Sequence, residues 1–119
     1  MRKVSVLLPI AGFLLMHGAC KKTSENVIDC IAESVLVSVK YSADASNSKQ
    51  INFEIKYDGA NTIQSVEWIF GDGNTAKGSS TTTTHTYSSA GSYALKAKVS
   101  IANGSASCTS EPEKSIVVN

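Results

Sequence analysis

Val66-Glu67-Trp68-Ile69-Phe70-Gly71-Asp72-Gly73-Asn74 is the stretch on which the fold turns. Val66, Trp68 and Phe70 alternate with Glu67 and Ile69, so three large apolar groups share one face of an extended chain. Gly71-Asp72-Gly73-Asn74 then ends the strand with residues that tolerate positive φ or bond their own backbone. Trp68 is the only tryptophan, and its place in mid-strand marks it as the centre of the core.

The chain on either side repeats the same two-residue period. Ser34–Tyr41 is the first expected strand, with Val35, Val37, Val39 and Tyr41 on one face, and Ser42–Lys49 is a polar connection. Gln50–Tyr57 alternates strictly, Ile51, Phe53, Ile55 and Tyr57 against Asn52, Glu54 and Lys56, which predicts one buried and one wet face. Asp58-Gly59-Ala60-Asn61 is a turn. Thr75–Thr84 is polar and, in its run of threonines, β-branched; it is expected as one solvated edge strand ending in His85-Thr86-Tyr87. Ser92–Ile101 is a long strand with Tyr93, Leu95, Ala97, Val99 and Ile101 inward, and Asn103-Gly104 predicts a tight hairpin to Ser105–Thr109. Lys114–Val118 closes the domain. About seven short strands with no convincing helix argue an all-β sandwich of two sheets around one core.

The N-terminus has a different character. Met1-Arg2-Lys3 is a basic start, and Val4–Met16 is apolar apart from Ser5, Pro9 and Gly12. As a helix that run spans only about 20 Å, short of a hydrocarbon core of about 30 Å, so residues 1–19 are expected to be a secretory signal peptide. Gly18-Ala19-Cys20 resembles the lipobox of bacterial lipoproteins, departing from it at His17, where that family prefers leucine. The resemblance implies that Cys20 is acylated and becomes the mature N-terminus, with residues 20–33 as a tether and 34–119 as the domain. No aspartate follows Cys20, which in such lipoproteins favours the outer membrane of a Gram-negative cell envelope. The alternative is cleavage near Ala19 with Cys20 left free.

Composition excludes several classes of function. Removing Arg2 and Lys3 with the leader turns the formal charge of +1 into −1, which leaves no electrostatic footprint for nucleic acid. With Cys20 acylated, Cys30 and Cys108 remain, an even pair in an exported chain and therefore a candidate disulfide flanking the domain. One histidine outside the leader and no CxxC spacing argue against zinc. Asp58, Asn61 and Asp72 carry oxygens of the kind calcium takes, but their spacing is not an EF-hand loop and their number is low. No metal and no cofactor is assigned.

Trp68-Ile69-Phe70-Gly71-Asp72-Gly73, then His85-Thr86-Tyr87, then Ala90-Gly91-Ser92-Tyr93 and the late Val99 resemble a PKD domain, named for the polycystic kidney disease repeat. The resemblance covers roughly residues 35–118, with Ile69 standing where that family often has aspartate. It implies an Ig-like β-sandwich and a non-catalytic role in binding, spacing or adhesion. Trp68, Phe70, Gly71, Asp72, Gly73, His85, Tyr87, Gly91 and Tyr93 are then structural residues. Asp72 between two glycines is expected to bond nearby backbone amides. His85 is expected beside the turn, with no nucleophile elbow and no orienting acid evident in the sequence. Tyr93 is expected as a tyrosine corner, its hydroxyl bonding backbone upstream, and Tyr87 as a core-edge aromatic. No catalytic residue is assigned. The expected partners are the membrane, through the N-terminal lipid, and a protein or carbohydrate; an accessory or spacer role in a surface polysaccharide- or protein-degrading complex is the alternative.

Overall fold

The computed structural model describes residues 28–119. The leader, Cys20 and most of the expected tether lie outside the described residues. A short helix, α1 (Cys30–Ser34), precedes eight strands: β1 (Val37–Ala43), β2 (Gln50–Tyr57), β3 (Thr62–Ile69), β4 (Thr75–Gly78), β5 (Thr82–Thr86), β6 (Gly91–Asn103), β7 (Ala106–Ser110) and β8 (Glu113–Val118). One sheet has the order β1-β2-β5. The other runs β4-β3-β6, and the far edge of β6 is shared by β8 along Gly91–Lys96 and β7 along Val99–Asn103. Every pairing is antiparallel.

The alternation seen in the sequence sets which face is buried. Ile51, Phe53 and Ile55 of β2 point inward with Val37 and Val39 of β1, and meet Val66, Trp68, Leu95, Val99 and Ile116 of the other sheet. Trp68 is 2% exposed, and its ring centroid lies 5.8 Å from that of Phe53, which is equally close to Phe70. Trp68 stands opposite Ala97 on β6 and Ala76 on β4. Two small residues in register on either side leave room on that face for the indole. A register shift between Ile63 and Ser65 changes the parity of β3, so Ile63 packs against the same core as Val66 and Trp68 despite its odd spacing from them.

Three expectations are corrected. The described residues form eight strands, in keeping with the expected sandwich of about seven, but the threonine-rich stretch expected as one strand is divided. Thr75–Gly78 pairs with β3, and Thr82–Thr86 crosses to the opposite sheet and pairs with β2. The crossing runs through Gly78-Ser79-Ser80, where the Ser80 hydroxyl donates to the Thr82 carbonyl and accepts from the Thr82 N–H. Threonine suits either face of an extended chain, so it carries no periodic mark of a change of sheet. The domain also contains one helix. Asp29 Oδ1 accepts from the N–H groups of Ile31 and Ala32 at 3.1 and 3.2 Å and opens α1. The first strand therefore begins at Val37 rather than Ser34, and Val35, expected inward, is 78% exposed at the end of the helix.

The Cys30–Cys108 disulfide joins α1 to β7 across 78 residues of sequence, with Cα atoms 5.4 Å apart. A loop of that length corresponds to about 4–5 kcal/mol of lost unfolded-state entropy in the chain-entropy model. Beside it the Tyr57 hydroxyl donates to buried Glu33 and accepts from the Asn61 N–H at 3.1 Å. Burial, and then the Glu33 carboxylate, push the Tyr57 hydroxyl above its ordinary pKa. The helix is thus fixed to β7 and to the β2–β3 turn.

Trp68→Ala would leave a cavity between the sheets and is expected to cost about 3–5 kcal/mol, a large part of the total stability of a domain this size. Denaturant unfolding of the oxidised protein checks this: a midpoint within error of the wild type would contradict the central place given to Trp68.

Candidate functional site

The sequence motif converges at the end of the sandwich opposite the disulfide. There β3 ends, β5 ends and β6 begins. Phe70, one residue beyond β3, donates its N–H to the Asn74 carbonyl at 3.1 Å and closes the turn. Gly71 and Gly73 hold φ of 90° and 96°. At Gly71 a Cβ would also lie 2.6 Å from the Ala94 carbonyl oxygen of β6, so both conformation and space demand glycine. Asp72 Oδ1 accepts from the Asn74 N–H at 3.0 Å, the turn-fixing bond expected from the sequence.

The other carboxylate oxygen makes a contact that the sequence did not reveal. Asp72 Oδ2 lies 2.7 Å from His85 Nε2, bridging a turn of one sheet and a strand of the other. His85 therefore has an acidic partner, a correction to the sequence reading. Partial burial opposes the charge on Asp72, but the hydrogen bonds from His85 and Asn74 outweigh it and hold the carboxyl below its ordinary value. The His85 ring stacks on Phe70, with centroids 4.0 Å apart and planes 5° from parallel, and meets Tyr87 edge-on at 4.6 Å. An Asp–His pair is half of a general-base arrangement. Here the imidazole is engaged by Asp72 on one nitrogen and by aromatic rings on its face and edge, which suits holding two sheets together.

Tyr87 is also corrected: it lies fully within the core, 1% exposed, rather than at its edge. Its hydroxyl donates to the Phe70 carbonyl at 2.8 Å, and its ring lies 4.3 Å from that of Tyr93. Burial, then the charges of Asp72 and Tyr93, push the Tyr87 pKa well up, so the phenol remains a donor. Tyr93 donates to the Ser89 carbonyl four residues upstream at 2.8 Å, the geometry of a tyrosine corner. Gly91 opens β6 just before it. Asp58 and Asn61 sit at the other end of β3 from Asp72, so the structure does not bring these three together.

Away from the motif, the outer sheet faces carry shallow grooves. One is lined by Lys40, Tyr41, Ser42, Asn52, Phe53, Glu54 and Thr82, the other by Ser65, Glu67, Lys77, Lys98, Ser100 and Thr109. No aromatic side chain among the described residues is fully exposed. Among the described residues no group of three or more His, Cys, Asp and Glu is placed to hold a metal ion, and no helix is long and apolar enough to cross a membrane.

Two antiparallel sheets packed on a tryptophan, with a Gly-Asp-Gly turn locked to a His-x-Tyr strand, define an immunoglobulin-like sandwich module. A PKD domain model matches residues 35–116, and the chain belongs to the PKD-domain family. The structure is similar to the crystal structure of the PKD1 domain from Vibrio cholerae metalloprotease PrtV, with a TM-score of 0.53 and 20% sequence identity over 70% of this chain and 96% of that one. No curated protein matches the chain significantly.

The lowered Asp72 pKa sets the sign of a pH effect. Its contribution to stability is complete above the unfolded value of 3.8 and is lost as pH falls below that toward the folded value. Asp72→Ala is expected to cost about 1–2 kcal/mol near neutrality through its lost hydrogen bonds, and thermal melts of variant and wild type should converge in more acid solution. A gap between the two melts that stayed constant with pH would contradict the ionised Asp72–His85 contact.

Proposed function

We propose that this protein is a lipid-anchored module of the bacterial cell envelope that binds a protein or glycan and performs no chemistry of its own. The observation that carries the reading is how the family motif is used. Asp72, His85, Tyr87 and Tyr93 all bond or stack within the domain, so the groups that resemble a site are committed to the fold. What is left for a partner is the polar outer face of each sheet. Those faces present lysine, glutamate, serine and threonine with no ring fully exposed on them, only a half-buried Tyr41 at one groove, which favours a protein contact over sugar stacking. Gly18-Ala19-Cys20 supports anchoring through an acylated Cys20, and the absence of aspartate after it supports the outer membrane of a Gram-negative cell. The likeness to a PKD domain of a metalloprotease supports the second reading, an accessory or spacer element of a surface degradative complex.

Metabolic labelling with a fatty acid is expected to mark the wild-type protein and not Cys20→Ser, and fractionation should move that variant from membranes to the soluble phase. Equal labelling of the two would overturn the anchor.

A further inference from the structure

We propose that the exposed apolar pair Ile31 and Val35 lies against the lipid surface and sets the attitude of the sandwich on the membrane. This placement presupposes the acylated Cys20 proposed above. Ile31 is 81% exposed and Val35 78%, the two most exposed large apolar side chains among the described residues. They stand four residues apart in the turn of α1 and its C-terminal cap, a spacing that puts both on one side. A five-residue helix in isolation would not hold them there. This one is fixed by the Asp29 cap, by Cys30–Cys108 and by the Glu33–Tyr57–Asn61 hydrogen bonds. The pair is therefore presented outward on a rigid support.

The chain that precedes the helix names the occupant. Ile28 packs against the core, so the domain is fixed in place from that residue on. Eight residue steps separate it from Cys20, and fully extended they reach at most about 29 Å. The pole carrying Ile31 and Val35 is thus kept within about one bilayer's hydrocarbon thickness of the surface. Two aliphatic side chains would hold a free domain on a membrane only weakly. With the anchor already inserted the contact becomes intramolecular, at an effective concentration that a short tether raises to the millimolar range. Lys21 and Lys22 follow the anchor directly and suit an anionic headgroup layer. Asp58 on the adjoining turn opposes such a layer, so the contact proposed is the apolar one and does not depend on lipid charge.

The test uses the acylated full-length protein in vesicles of zwitterionic lipid, and of the same lipid with anionic lipid added, each with and without brominated acyl chains. Val35→Trp places a reporter on the pole. Val117→Trp is the control, since Val117 is 57% exposed and pairs with Ser92 at the opposite end of the sandwich. Trp68, buried in both variants, gives the background measured in the wild type. Bromine should reduce the added emission of Val35→Trp several-fold in both lipid mixtures and leave that of Val117→Trp unchanged. Protein that floats with the vesicles but shows equal quenching at the two positions would overturn the contact and leave the anchor standing. Acylation-competent protein that does not float would overturn both. In the unacylated Cys20→Ser background the Val35→Trp emission should be that of a water-exposed indole. A blue-shifted emission independent of concentration would mean that the chain covers its own pole, and one that grows with concentration would mean that a second copy does; either overturns the proposal.

Discussion

The hydrogen bond from the Tyr87 hydroxyl to the Phe70 carbonyl ties the two sheets at their most demanding point. Phe70 follows the last residue of β3, and its carbonyl is buried where the chain turns at Gly71. Tyr87 follows β5 in the opposing sheet. A bond of this kind contributes about 0.5–1.5 kcal/mol net, but a buried carbonyl left without it would cost about 1–3 kcal/mol. The turn, the crossing between sheets and the aromatic stack all depend on meeting that requirement. Gly71 lets the chain approach β6, Phe70 supplies a flat face for His85, and Asp72 receives the imidazole on its outer edge.

The two ends of the sandwich are closed by different chemistry. At the motif end, rings and a carboxylate–imidazole contact fill the gap between sheets. At the other end, a covalent bridge and a half-buried tyrosine–glutamate pair fasten a helix over the strands. Both devices consume the reactive side chains in their neighbourhood. A PKD-family domain built in this way presents its sheet faces and one apolar pole to its surroundings.

Much of this organisation was legible in the sequence because it obeys local rules. Strict alternation located β2 to the residue, the inward faces of β3 and β6 followed from the same period, and Asn103-Gly104 located the β6–β7 hairpin. The Gly-Asp-Gly turn was visible because positive φ and Asx bonding are properties of individual residues. The start of the first strand was misplaced for a reason of the same kind. Valines at 35, 37 and 39 continue a strand pattern, and Asp29 capping plus the disulfide override it by winding the chain into a helix.

What only the tertiary structure decided concerns residues far apart in sequence. Asp72 and His85 are thirteen residues apart and belong to different sheets; no periodicity marks them as partners, and their contact exists because β5 crosses over after Ser80. The burial of Tyr87, the Glu33–Tyr57 pair and the exposure of Ile31 and Val35 likewise depend on which surfaces the sheets bring together. Composition and alternation determine that a strand has an inner face, because the side-chain period of an extended chain is two. Which polar group meets which across the core depends on packing of distant segments, and that is settled only when both sheets have closed on Trp68.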